Sequence, residues 1–303
     1  MGKKLSIGSW AFVFNQETVL DFHTTLHKLQ HMKFDGIELG SFGSHPTPKS
    51  HPTKADRLAL KKEVADHGLE FSGIAADLWS FKPISNEDAG PYLSAFLGYC
   101  EFARDLGMDM IRVDTGETPD VFEKNNLDPK VGMERLANTW DIACKMAADH
   151  GMKVSWEFEP GFAFNKPSEI VKLVDAVRAK GHKTFGVMYD SCHAHMVAEK
   201  AAMQPGEKET VPGGALGLLK MLEGRINHIH LIDSDGSLNE HKTSTHNPFG
   251  TGHLNFDELL PAIEKANIPT KWWSIDLCFW PDAWTVTAQC KKYLDNMRAK
   301  YAA

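Results

Sequence analysis

A chain of 303 residues, 42% hydrophobic and 24% charged, is long enough to bury one large core, and its formal net charge of -7 opposes a broad phosphate-binding surface, so nucleic acid is not an expected partner. The five cysteines, Cys100, Cys144, Cys192, Cys278 and Cys290, are widely spaced and form no CxxC pair, which argues against a disulfide framework or structural zinc and suits a reducing cytoplasm. The opening MGKKLSIGSWAF lacks the apolar stretch of a signal peptide, and no apolar run approaches the roughly 18 residues of a membrane span, so no membrane association is expected.

In chain order, short apolar runs predict eight strands: Leu5 to Trp10, Phe34 to Leu39, Glu70 to Ala76, Met110 to Asp114, Met152 to Phe158, Thr184 to Tyr189, His228 to Ile232 and Trp272 to Leu277. Helical patterns fall between them at Glu17 to Met32, Lys54 to His67, Tyr92 to Leu106, Lys130 to His150, Ser168 to Ala179 and Phe256 to Ala266. Several stop at a Gly or Asn, as at Gly68, Gly107, Gly151 and Asn267. Strand and helix repeated eight times imply parallel pairing with right-handed crossovers. The count favours an α/β fold of the closed (β/α)8 TIM barrel type, a single domain over 1–303. No GxGxxG or GxxxxGK[ST] follows the first strand, which removes the usual nucleotide-binding alternative. The longest irregular stretches, Gly40 to Thr53, Thr115 to Asp128, His193 to Pro212 and Ser234 to Asn255, each follow the C-terminal end of a strand, the face where barrel active sites assemble.

Strands five to eight each deliver ligand chemistry at or near that face: Glu157 in VSWEFEP, Asp190 in FGVMYDSCH, His230 in INHIHLID and Asp276 in WWSIDL. One carboxylate or imidazole per consecutive strand is the ligand set of a divalent-metal site at a barrel mouth. Glu159 shares the parity of Glu157 and points into the same mouth if the strand continues that far; the alternative is an ion pair with Arg or Lys. His193, three residues after Asp190, can converge on the same ion or on its substrate. His228 alternates with His230 but lies deeper, where a hydrogen-bonded core role competes with ligation. Arg112 on strand four can bind a sugar hydroxyl or phosphate, or pair with a mouth carboxylate. Trp10, Trp79, Phe162, Phe249 and Trp280 lie near the expected mouth and offer sugar-stacking surfaces, although burial in the core is the first reading for any one of them, since Trp and Phe bury large areas wherever they sit. The segment HKTSTHNPFGTGH, with His241, His246, Asn247 and His253, is a candidate cover for a substrate, and His246 its first candidate contact.

The order Glu, Asp, His, acid on strands five to eight resembles the xylose isomerase-like barrels, the superfamily of sugar isomerases and epimerases that also contains endonuclease IV. GMKVSWE resembles its Gly-led fifth strand, Asp190-Ser191-Cys192-His193 its DTxH turn, His230-Leu231-Ile232-Asp233-Ser234 its HxxDS, and Gly252-His253-Leu254-Asn255-Phe256 its approach to the last helix pair. Within the superfamily, GSW, FDGIELG, AADLWS, EFEPGFAFNKPSE, CHAHM, HLIDSDG and WPDAW are similar to proteins that include the catalytic subunits of enzymes cleaving C-glycosides after oxidation to a 3-keto form. Three departures from the ketose 3-epimerases stand out: Gly236 where they carry Arg, FEPGFAF in place of PLNRxE, and Asp276 where Glu is usual.

The donor set favours manganese first, with magnesium, cobalt or zinc as alternatives. A metal-stabilised enediolate formed by proton loss beside a sugar carbonyl then leads to isomerisation, epimerisation, or expulsion of a β-substituent by a lyase. Glu157, Asp276 and His193 are the expected catalytic groups; Trp10, Glu159, Arg112 and His246 the expected substrate contacts; Glu157, Asp190, His230 and Asp276 the expected metal ligands. The resemblance implies a small-molecule sugar or keto-glycoside as substrate, and self-association or pairing with a smaller β-rich subunit. Two other classes compete. An endonuclease IV-type phosphodiesterase needs extra His ligands, for which only His45 after strand two offers itself, and basic loops. A silent sugar-binding barrel would bind without turnover.

Overall fold

The computed structural model describes residues 2–301. Eight parallel strands, β1 (Lys4–Ile7), β2 (Gly36–Gly40), β3 (Glu70–Ala75), β4 (Met110–Val113), β5 (Lys153–Glu157), β6 (Gly186–Asp190), β7 (Ile226–Leu231) and β8 (Trp272–Ile275), pair in sequential order from β2 through β8, and β8 pairs with β1. At the remaining seam a parallel bridge joins Gly8 to Glu38, so the sheet nearly closes into the expected barrel.

Around it lie α1 (Phe22–His31), α2 (Lys54–Asp66), α3 (Gly90–Leu106), α4 (Val121–Lys124), α5 (Pro129–Asp149), α6 (Pro167–Arg178), α7 (Ser191–Ala198), α8 (Gly214–Met221), α9 (Phe256–Lys265) and α10 (Ala283–Tyr301). Helix α1 begins at Phe22 rather than Glu17, because the Asp21 carboxylate caps the Thr24 N–H at 2.8 Å and fixes the first turn there. Thr53 and Asp56 form a reciprocal capping box at α2. Gly107 ends α3 at φ 82°, the left-handed turn the sequence predicts.

Strand β5 illustrates how the two faces divide. Val154 and Trp156 are buried against the helices, with Trp156 and Phe185 each 5.6 Å ring-to-ring from Trp140. Such aromatic pairs contribute about 0.5–1.5 kcal/mol each beyond the area they bury. Glu157, of opposite parity, is turned into the barrel, where a carboxylate is tolerated only with partners. Two irregular stretches hold more order than the sequence suggests. Residues 115–128 contain α4, and the expected loop from His193 starts inside α7 because Asp190 caps the helix at the His193 N–H, 2.8 Å. Helices α8 and α10 complete the layer. No helix among the described residues is long and apolar enough to cross a membrane.

Candidate metal and substrate site

The barrel axis ends in a cluster of buried donors. Ligand atoms of Glu157, Asp190, His230 and Asp276 all lie within 4.8 Å of one another, each residue within one position of the C-terminal end of β5, β6, β7 or β8. His230 Nδ1 stands 2.7 Å from Glu157 Oε1 and 3.3 Å from Asp276 Oδ2, while its Nε2 faces Glu38 Oε1 at 3.0 Å. Burial disfavours a charged imidazole, yet Glu38 and Glu157 push the His230 pKa well above its ordinary value. A proton at Nδ1 therefore stands where a cation would replace it.

The residues fit a divalent ion on three grounds. Asp190 Oδ2 is buried without a hydrogen-bond partner, as are both ring nitrogens of His246. Burial and then the charges of Asp276 and Glu157 raise the Asp190 pKa well above the usual carboxylate range, which marks an excess of negative charge. The donor set of carboxylates plus one imidazole also suits a hard or borderline dication.

Glu38 on β2 was not anticipated as a site residue. It is completely buried; Oε2 accepts from His228 Nε2 at 2.9 Å and from Ser274 Oγ at 2.8 Å, and Oε1 accepts from His230. Burial opposes its ionisation, but His230 and His228 hold its carboxyl well below the usual range. One carboxylate thus orients the candidate ligand His230 and ties down His228 beneath it. His228 takes the core role, with Thr270 Oγ1 at 3.3 Å from its Nδ1.

Above the cluster opens a cavity of about 260 Å³. Glu157, Glu159, His193, His246, Asp276, Arg112 and Trp10 all line it, so the structure brings together most of the groups singled out in the sequence. Arg112 lies among acids, its Nε 2.8 Å from Glu157 Oε2, its Nη2 3.5 Å from Asp114 Oδ2 and 3.8 Å from Glu159 Oε1. Of its two expected roles, pairing with mouth carboxylates is realised. The Trp10 indole donates to Asp276 Oδ1 at 2.9 Å, and Cys278 N donates to the same oxygen at 2.8 Å, so the shorter acid is still held at the cluster. Burial opposes ionisation of Asp276, but His246 and His230 hold its carboxyl well below the usual range.

Glu159 differs from its neighbour. Burial, only partly offset by Arg112, pushes its carboxyl up to about 8. Its Oε2 accepts from Thr243 Oγ1 at 2.6 Å. Burial lowers the His193 pKa to about 3, and Ser244 Oγ lies 2.8 Å from its Nδ1, which leaves Nε2 for the cavity. Two residues of the long β7–β8 connection therefore position two candidate proton carriers. Asp233 pins that loop: its carboxylate accepts from the backbone N–H groups of Ser234, Gly250, Gly252 and Leu254 at 2.8–3.1 Å. Gly252 is required here, since an added Cβ would come within 2.4 Å of Asp233 Oδ1.

Not every aromatic candidate belongs. Trp10, Trp79 and Phe162 line the cavity, whereas Phe249 packs in the core against Phe256 and Tyr293, and Trp280 lies outside the cavity lining. Their places are taken by Phe14, Phe42 and Phe279: Phe279 stacks on Phe14 with ring centroids 5.0 Å apart, and Phe42 packs on it tilted by 48° at 5.2 Å. His241 reaches the rim, packed on Phe279 at 4.3 Å, but His253 packs against His195 away from it. His45 is buried between Ser9 Oγ and the Leu20 carbonyl and joins no ligand cluster among the described residues.

Residues 26–290 match the Xylose isomerase-like TIM barrel family. The chain belongs to that family. An inosose dehydratase of Glaesserella parasuis serovar 5 (strain SH0165) is 24% identical over 221 residues, 67% of this chain and 69% of the relative. Among solved structures, a D-tagatose 3-epimerase-like protein superposes with a TM-score of 0.71 at 18% identity, covering 99% of this chain and 100% of the other. The IOLI protein, solved with a bound zinc atom, gives 0.73 at 18% identity over 98% and 99%. The probable 3-DHS dehydratase AsbF from Bacillus anthracis gives 0.68 at 16% identity over 96% and 98%. At these identities the structural likeness establishes the fold, while the chemistry rests on the site.

Proposed function

We propose that this protein is a divalent-metal-dependent enzyme that removes a proton from the carbon beside a sugar carbonyl, as an isomerase or epimerase. The observation that carries the reading is the convergence of Glu157, Asp190, His230 and Asp276 beneath a cavity that Glu159 and His193 also face. When bound to those four residues, the metal supplies Lewis-acid polarisation of the substrate carbonyl; zinc, as in the IOLI protein, and manganese both suit the donors. The remaining work falls to side chains. Glu159, desolvated and steadied by Thr243, is placed to move a proton on one side of the cavity, and neutral His193 offers Nε2 as a second acceptor. Arg112 counters the charge of Glu157 and, with Trp10 beneath it, holds the floor rigid.

One observation favours a second outcome of the same proton removal. Phe14, Phe42, Trp79, Phe162 and Phe279 give the cavity a larger aromatic wall than a bare sugar needs, and such a wall can receive an apolar leaving group expelled as a β-substituent. Two relatives named as dehydratases support elimination, and a relative named as epimerase-like supports proton return. The free cysteines suit a cytoplasmic enzyme.

The test begins with metal analysis of the purified protein and continues with C–H exchange in heavy water, using a panel of ketoses and 3-keto-glycosides. Exchange without release of a substituent supports isomerase or epimerase chemistry; release coupled to exchange supports the lyase. Metal-loaded protein that exchanges no C–H proton in any panel member would overturn the proposal in favour of a silent binding barrel.

A further inference from the structure

On the outside of the barrel, well separated in sequence from every residue of the central cluster, three histidines meet. His23 and His27 lie one turn apart on α1, and His67 closes α2 as its C-cap residue. Each offers a ring nitrogen, and the three nitrogens lie within 4.8 Å of one another. His23 Nε2 and His27 Nε2 are 3.0 Å apart. The rings pair edge-to-face at 84–87°, with centroids 4.5 Å apart for His23 with His27 and for His27 with His67, and 5.7 Å for His23 with His67.

The surrounding hydrogen bonds set the tautomers. His67 Nδ1 lies 2.8 Å from the Glu63 carbonyl oxygen, which can only accept, so Nδ1 carries the proton and Nε2 the lone pair. His23 Nδ1 lies 2.7 Å from Glu63 Oε1, again an acceptor, so the lone pair of neutral His23 is likewise on Nε2 and faces His27. Carboxylate and backbone carbonyl partners on the far nitrogen are what metal-bound imidazoles use to fix ring orientation and raise basicity. In the metal-free protein the His23 lone pair accepts the His27 Nε2 proton at 3.0 Å, and a cation would take that proton's place: the separation is close to the ~3.3 Å that two nitrogens take when each sits ~2.0 Å from one tetrahedral zinc ion. His23 and His27 are exposed, so an ion reaches the site from solvent and completes its shell with water.

We infer that His23, His27 and His67 form a second metal site, selective for imidazole-preferring divalent ions such as zinc, which clamps α1 to the end of α2. Glu63 is its positioning residue, through both its carboxylate and its carbonyl oxygen. The site is independent of the barrel cluster in ligands and in preference. With three imidazoles and no carboxylate ligand it takes zinc, cobalt or nickel and leaves magnesium aside.

Zinc titration of the untagged full-length chain by calorimetry, repeated on His27→Ala, His23→Gln and Glu63→Gln, tests this. The variants change residues that are exposed or at the surface, and circular dichroism checks that each remains folded. Wild type is expected to bind one more zinc equivalent than His27→Ala or His23→Gln, and Glu63→Gln to keep that equivalent with affinity reduced about 10–100-fold. A zinc-dependent rise in melting temperature should vanish in the two histidine variants. Equal zinc stoichiometry and affinity in wild type and both histidine variants would overturn the inference. If wild type binds one zinc equivalent and His27→Ala none, and His27→Ala takes up no manganese either, this outer site stands and the barrel metal reading falls. C–H exchange activity should be unchanged in His27→Ala.

Discussion

Glu38→Gln tests whether the barrel cluster is a metal site oriented from below. The substitution keeps the shape of the side chain and removes its charge. Glu38 accepts three hydrogen bonds, from His230 Nε2 at 3.0 Å, His228 Nε2 at 2.9 Å and Ser274 Oγ at 2.8 Å. An amide offers one oxygen as acceptor and turns its NH2 toward a group that is itself a donor. Removing one member of a buried charged pair costs about 3–5 kcal/mol, most of it from the partner left unpaired. In the metal-free protein this should appear as a lowered unfolding midpoint. For metal binding, loss of such an orienting partner weakens affinity by about 10–100-fold, which is about 1.4–2.7 kcal/mol. Proton competition works in the opposite direction, because Glu38 also raises the His230 pKa. Chelator competition should therefore be run at alkaline pH, where that effect is smallest, alongside urea unfolding of chelator-treated protein. A folded Glu38→Gln variant whose metal affinity stays within about twofold of wild type would refute the orienting role.

Trp10→Phe removes the indole donor to Asp276 Oδ1 and leaves the Cys278 N–H. A hydrogen bond to a charged group contributes about 1.5–3 kcal/mol. The Asp276 carboxylate loses one of the two donors that orient it, so chelator competition should show metal affinity reduced about 10-fold; an affinity within about twofold of wild type would count against Asp276 as a ligand. His45 supplies a stability test. Burial lowers its pKa, so the unfolded chain takes up a proton that the folded chain resists, and stability falls as pH drops below about 6.5. His45→Gln should flatten the change in urea midpoint between pH 7.5 and 5.5, by at most about 1.4 kcal/mol per pH unit for one proton. Parallel profiles for variant and wild type would exclude His45 as a contributor.

What the sequence discloses depends on how far apart the interacting residues lie. The eight strands and the acids and histidine ending the last four are legible because each is a local pattern, an apolar run followed by a polar residue before a loop. Glu38 is a different matter. It stands as a lone acid in an apolar strand, and its meaning depends on His228 and His230, 190 and 192 residues away. Its inward parity on a fully buried strand was the available signal. Arg112 was visible, but its choice between substrate and acids depends on Asp114, Glu157 and Glu159 meeting it across two strands. Among the aromatics the sequence could not sort core from cavity one by one: the loop carrying Phe249 turns it back onto α9 and α10, in the core role that any one of them was first expected to take, and only tertiary packing tells Phe249 and Trp280 from Phe14, Phe42 and Phe279.

Asp190 joins fold and site in one side chain. Oδ1 caps α7 through the His193 N–H, which fixes the helix that carries His193, while Oδ2 lies unpartnered among the other candidate ligands. Asp190→Asn separates the two duties. Asn caps helices about as well as Asp, so α7 and the placement of His193 should persist. The lost carboxylate was raised in pKa by burial and by its neighbours Asp276 and Glu157, so its removal relieves rather than costs charge repulsion in the metal-free protein. Metal-free Asp190→Asn should therefore unfold at a urea concentration equal to or above that of wild type. The loaded protein should lose the stabilisation that metal confers, because one anionic ligand is gone. If Asp190→Asn instead lowers the metal-free midpoint and leaves the metal-dependent increment intact, the carboxylate is a structural partner and the ion binds elsewhere.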